Sequence, residues 1–169
     1  MIRSIVKYGQ GALHEPAQPV REITAEIDAL VKDMIETMYA APGIGLAAPQ
    51  VGVPLRALVI DLTLGCDPKG IITLLNPEFV EREGMQLEEE GCLSVPGFNA
   101  TVARPERVVV RGVDLQGQER VYEGKDMLAR AFQHEIDHLD GKVFVDRLRG
   151  VKRSLIVRRI RKQIRTGKW

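Results

Sequence analysis

The chain has 169 residues, 44% hydrophobic and 28% charged, enough for one compact core and unlike a disordered or fibrous protein. No apolar run approaches the roughly 20 residues of a membrane span, and charges interrupt the stretch from Met1 to Lys7 before a signal-peptide core forms. A cytoplasmic protein with no membrane partner is therefore expected. The net charge of +1 conceals a split: 14 cations face 23 acids up to Asp146, whereas residues 147–169 hold ten cations and no acid.

In chain order, Ile27, Leu30, Val31, Met34, Ile35 and Met38 recur at helical spacing over 24–39, with Thr24 as N-cap and Ala41-Pro42-Gly43 as the stop. Residues 55–62, 71–76, 78–82, 107–115 and 119–122 are short, β-branched and punctuated by Gly, Pro and Asn, which predicts strands of a largely antiparallel sheet. Residues 114–118 predict a hairpin turn between the last two. Helical spacing returns over 125–139, ended by Asp140-Gly141, and again over about 148–165, where Leu148, Val151, Leu155, Ile156, Ile160 and Ile164 form one stripe of a basic helix. This order predicts an α+β fold: a mostly antiparallel sheet packed around the central helix of 125–139, with an N-terminal helix and a C-terminal basic helix.

The strongest chemical signal is His134-Glu135-Ile136-Asp137-His138. On a helix, positions i and i+4 share a face, so two imidazoles can bind one metal ion while the adjacent glutamate reaches a water held beside it. With 3 His in the chain, chance occurrence of this pattern is on the order of one in two hundred. A catalytic site of this type takes a third protein ligand. His14 has no partner spacing and reads as a surface residue; Cys66, in Gly65-Cys66-Asp67-Pro68, reads as part of a turn. Cys92, between apparent strands in Glu90-Gly91-Cys92-Leu93-Ser94, is the better candidate, although the sequence also allows a small buried hydrophobe there. Gly43-Ile44-Gly45-Leu46-Ala47-Ala48-Pro49-Gln50 follows no strand and lacks the third glycine of a dinucleotide fingerprint; it suits backbone brought close to a ligand, with the Gln50 amide as donor.

Together the stretches 43–50, 90–94 and 133–138 resemble the peptide deformylases, enzymes that remove the formyl group from the N-terminal formylmethionine of new polypeptides. The resemblance extends from Met34-Ile35-Glu36-Thr37-Met38-Tyr39 through Leu75-Asn76-Pro77 to Gly141-Lys142-Val143-Phe144. It implies a catalytic domain over 1–146, with the basic helix of 147–169 packed on or extending from it. Cys92, His134 and His138 would bind the metal, with water as fourth ligand. The ion would be ferrous iron in the cell, replaceable by zinc, nickel or cobalt; the donor set alone selects none of them. Glu135 would take the proton of the attacking water and pass it to the departing amine, while the Leu93 N–H and the Gln50 amide would donate to the oxyanion. Backbone groups of Ile44, Gly45 and Gly91 would hold an extended peptide, and Ile44, Met127, Ala131 and the His134 ring would wall the methionine pocket.

Two further pairs are expected from their signs: Glu88 with Arg130 at the pocket rim, and Glu90 with Arg104 buried near the metal loop. The partners implied are N-formylmethionyl nascent peptides and, through the basic helix, ribosomal RNA phosphates near the exit of the nascent chain, with the enzyme itself a monomer. Two other readings differ in their consequences. A protease built on His-Glu-x-x-His would cut internal bonds without needing a formyl group, and a structural metal module binding RNA would survive Glu135→Ala.

Overall fold

A computed structural model describes residues 1–169. The elements are α1 (Ala25–Ala40), β1 (Gly45–Ala47), β2 (Ala57–Ile60), β3 (Ile72–Glu83), β4 (Gln86–Gly91), β5 (Asn99–Arg104), β6 (Arg107–Val113), β7 (Glu119–Lys125), α2 (Asp126–Leu139) and α3 (Gly150–Arg165). Five strands form an antiparallel sheet in the order β1-β2-β3-β6-β7, and β4 pairs with β5 in a separate hairpin. No helix is long and apolar enough to cross a membrane.

The alternation of side chains along a strand explains how one sheet serves two helices. Leu58 and Ile60 of β2 face Phe132, Ile136 and Leu139 of α2, while Ala57 and Val59 face Leu30, Val31, Met34 and Met38 of α1. The sheet thus lies between the two helices. Thr24 caps α1 by accepting from the Ile27 N–H at 3.4 Å, as its position predicts. A third apolar cluster joins Ala100 and Val102 of β5, Phe144, Val145 and Leu148, and Ile156 and Ile160 of α3. The basic helix is therefore part of the packed body. Its predicted stripe is narrower than expected: Val151, Leu155 and Ile164 face solvent.

Four features differ from the sequence reading, the first being β1, a short strand inside the stretch 43–50 where none is predicted. The predicted strands 71–76 and 78–82 are one strand, β3, whose pairing with β6 shifts between Leu75 and Glu78. Pro77 has no N–H for the ladder, and a bulge accommodates it. Asn76 takes a positive φ of 51° there, and its side-chain amide exchanges two hydrogen bonds with the Val20 backbone. Strand β7 runs three residues past Tyr122, directly into α2. The hairpin β4–β5 lies outside the predicted strands, because Gln86-Leu87-Glu88-Glu89-Glu90 carries three acids of low strand propensity.

Candidate metal centre

Helix α2 carries His134, Glu135 and His138 on its inner side, and every residue from Ala129 to Leu139 except His134 is buried. His138 is fully buried and Glu135 4% exposed. Helical spacing brings His134 Nε2 and His138 Nε2 to 3.2 Å, and Cys92 Sγ lies 3.3 Å from His138 Nε2. One donor atom from each of the three residues falls within 4.8 Å of the others. Donors at this separation suit a single ion bound at about 2.0–2.3 Å. His134 Nδ1 lies 2.9 Å from Glu90 Oε2, an acceptor, so Nδ1 carries the proton and Nε2 keeps its lone pair for a ligand. His138 Nδ1 has no such partner.

Cys92 follows the last residue of β4, in a segment without strand pairing. Ser94 N–H donates to Cys92 Sγ at 3.4 Å, and the Gln50 amide, itself 1% exposed, donates to Ser94 Oγ at 3.1 Å. Gln50 Oε1 accepts from the Ala47 N–H, which fixes the amide so that Nε2 faces the cysteine at 3.7 Å. The Leu93 N–H has no hydrogen-bond partner within the chain. Gly45 is required by packing: a Cβ there would stand 2.5 Å from Glu135 Oε1. At Gly91 a Cβ would collide only with the Asn99 Oδ1 tip, an exposed side chain that can turn aside.

Behind the histidines lies a buried ionic cluster. Arg104 donates to both oxygens of Glu90, at 2.8 and 2.7 Å, and to Asp137 at 2.9 Å. The expected Glu90–Arg104 pair is therefore present. Arg147 closes on Asp137 at 2.6 Å. The expected pair of Glu88 with Arg130 does not form: Arg130 is 8% exposed and donates to Glu90 at 2.9 Å, to Gln86 and to the Val102 carbonyl, while Glu88 faces solvent. A guanidinium at that depth needs a carboxylate at the same depth, which Glu88 is not. Burial alone would raise the Glu90 carboxyl, but hydrogen bonds from His134 and Arg104 outweigh it and hold Glu90 well below the usual carboxylate range. Glu135 has no comparable partners, and burial pushes its carboxyl up to about 7. Its Oε2 is buried with no hydrogen-bond partner. Burial holds His138 well below an ordinary imidazole, in the uncharged form that binds metal.

A cavity of about 450 Å³ opens onto this centre. Gln50, Cys92, Leu93, His134 and Glu135 are among its lining residues, as are Ile44, Gly45, Gly91, Met127, Ala131 and Arg130. His138 lies behind them, against His134 and Cys92, so every expected site residue is brought to one place. Gly45 belongs to β1, which pairs only with β2, and Gly91 to β4, which pairs only with β5, so each strand has a free edge. His14 and Cys66 are exposed and outside the cavity. The sequence reading missed Ser94, Asp137 and Arg147. Asp137 sits inside the histidine motif itself, but only the fold reveals that arginines from 104 and 147 converge on it.

A protein-family model described as polypeptide deformylase matches residues 2–154. The chain is 53% identical over 169 residues to a peptide deformylase of Acidobacterium capsulatum, covering 100% of this chain and 99% of that one. It superimposes on the crystal structure of a peptide deformylase from Legionella pneumophila with a TM-score of 0.91 and 44% identity, over 99% of this chain and 98% of that one. The peptide deformylase from Thermus thermophilus gives a TM-score of 0.90 at 39% identity, over 99% and 98% of the two chains. With its fold and its whole length accounted for by these relatives, the chain belongs to the peptide deformylase family, metal-dependent hydrolases that remove the N-terminal formyl group from newly synthesised polypeptides.

Proposed function

We propose that Cys92, His134 and His138 hold the metal ion of this deformylase and that Glu135 is its general base. The observation that carries this reading is the convergence of the three donors within 4.8 Å beside a buried carboxylate with a free oxygen. A sulfur and two nitrogens suit ferrous iron, zinc, nickel or cobalt; the family resemblance selects ferrous iron as the ion in the cell. When bound, the metal makes a water molecule acidic enough to attack near neutral pH. Glu135, buried beside the three donors with one oxygen free of any partner, accepts the proton of that water and returns it to the departing amine. The unpartnered Leu93 N–H and the Gln50 Nε2–H donate to the oxyanion formed on the formyl group, contacts worth roughly 3 kcal/mol each.

The formylmethionyl peptide lies extended between the free edges of β1 and β4, with Ile44, Gly45 and Gly91 supplying backbone groups. The methionine side chain enters the cavity against Ile44, Met127 and Ala131. Arg130 lends that wall only its aliphatic stem, since its guanidinium is consumed by Glu90, Gln86 and Val102. Formate release from formyl-Met-Ala-Ser tests the assignment. Glu135→Ala retains metal and loses activity by on the order of 10²–10⁴-fold, whereas Cys92→Ala is metal-poor. An active, metal-loaded Glu135→Ala enzyme would sink the base assignment.

The cationic helix α3 serves the same reaction by docking the monomeric, cytoplasmic enzyme on ribosomal RNA where nascent chains emerge. Arg153, Arg158, Arg161, Lys162 and Arg165 line one groove beside Tyr8. Phosphate contacts of this kind weaken steeply with salt. Deleting 147–169 would strip Ile156 and Ile160 from a core cluster, so Arg158, Arg161 and Arg165 are better exchanged together for Gln. Co-sedimentation with ribosomes should fall in that variant; undiminished, salt-insensitive binding would remove this part of the reading.

A further inference from the structure

Trp169 is the only tryptophan, lies beyond α3, and belongs to the same apolar cluster as Cys92. Its indole Nε1–H donates to the Tyr8 carbonyl at 2.9 Å, and the Tyr8 N–H donates in turn to the Ser94 carbonyl at 2.8 Å. Its ring stands 6.2 Å from that of Phe98, at an interplanar angle of 57°. Trp169 therefore meets the segment from Cys92 to Phe98 directly at Phe98 and, through Tyr8, at Ser94. That segment joins β4 to β5 and has no strand pairing of its own; internally the Val95 N–H donates to the Cys92 carbonyl at 3.0 Å and the Ser94 N–H to Cys92 Sγ. Residues 6–8 are likewise outside any strand, yet they bridge the two functional segments, since the Val6 N–H donates to the Gln50 carbonyl at 2.7 Å.

We infer that Trp169 is a positioning residue for the deformylase reaction: through Tyr8 and Phe98 it sets the place of the Cys92 thiolate and the Leu93 N–H relative to α2. This rests on the reading of Cys92 as a metal ligand. Side chains on a loop keep a productive geometry only when neighbouring residues lock them, and small displacements of reacting groups are expensive. Neither β4 nor β5 extends far enough to do this for Cys92. Gln50 holds the loop through Ser94, and the Trp169 contacts through Tyr8 and Phe98 are the second hold on it.

The test compares wild type with Trp169→Ala, Trp169→Phe, Cys92→Ala and Ile156→Ala in cobalt-loaded protein. It reads the thiolate-to-cobalt absorption band, kcat and KM for formyl-Met-Ala-Ser, and the thermal midpoint. Trp169→Ala is expected to lower kcat about tenfold, with KM changed by less than about twofold, and to shift the band. Trp169→Phe, which keeps a ring on Phe98 but loses the donor, should fall between the two. Ile156→Ala, which loosens α3 within the same apolar cluster but keeps the Trp169 bond to Tyr8, should lower the midpoint while leaving band and kcat at wild-type values. A Trp169→Ala protein with a lower midpoint but unchanged band and kcat would overturn the inference, leaving Trp169 as an anchor of α3 alone. If Trp169→Ala does not fold, unchanged band and kcat in Trp169→Phe overturn it equally. A wild-type cobalt protein whose spectrum equals that of Cys92→Ala would instead refute the ligand assignment, and the inference with it.

Discussion

Arg104 and Arg107 stand at the end of β5 and the start of β6, and each is surrounded by carboxylates. Arg104 meets Glu90 and Asp137 with side chains 3%, 5% and 6% exposed. Arg107, 22% exposed, meets Glu81, Glu83 and Glu123, which are 57%, 66% and 50% exposed. Around Arg107 water can take over any contact that fails, and side-chain entropy and salt erode what the pairs gain. Around Arg104 water is excluded, so each charge depends on its partners for solvation, and the cluster must be complete or not be there. The depth also gives it a task the exposed cluster lacks, because Glu90 fixes the proton on His134.

The sharpest way to break this comparison is Arg104→Met, which keeps much of the side-chain length and removes the charge. It leaves Glu90 with Arg130 and His134, and Asp137 with Arg147, so the loss should lie near the low end for breaking a buried pair, about 3 kcal/mol by urea unfolding. Metal affinity should fall about 10–100-fold, since Glu90 then orients His134 less firmly. The pH dependence follows from the depressed folded-state value of Glu90. A carboxylate of that kind contributes its full stability above the unfolded-state value and loses it only as pH falls through the lower folded value. The gap between wild type and Arg104→Met should therefore persist through mildly acid solution and close below the usual carboxylate range. A loss as small as that of an exposed pair would show the cluster to be solvated after all.

How much of this is legible in the sequence follows from how local each signal is. The helices α1 and α2 can be read to within a residue or two, because their apolar spacing is strong and Thr24 marks a cap. The motif His134-Glu135-x-x-His138 declares its geometry within one turn. Cys92 is harder: only its surroundings of Gly91 and Ser94 set it apart, and its distance from α2 depends on the β4–β5 hairpin. That hairpin escapes a sequence reading although Ala100, Val102 and Arg104 alternate inward, because a buried arginine breaks the apolar pattern a strand is recognised by. The signs of Glu90 and Arg104 suggest a pair, but nothing local distinguishes Glu88 from Glu90 as the partner of Arg130. Burial decides that: Glu90 is 6% exposed and Glu88 faces solvent, although Arg130 reaches the Val102 carbonyl directly opposite Glu88.

The smallest expected effect completes the comparison. Arg107→Met removes more ion pairs than Arg104→Met does, three against two. Counting contacts would rank it as the more damaging change. Solvation reverses that order: Glu81, Glu83 and Glu123 each remain wet, and Glu123 keeps Lys125 at 3.5 Å. The urea midpoint of Arg107→Met should stay within the scatter of repeated wild-type measurements, and added salt should leave the two proteins indistinguishable. Formate release should be unchanged, because the arginine does not line the cavity. A midpoint shift as large as that of Arg104→Met would mean that the number of ion pairs, and not their depth, governs stability in this fold.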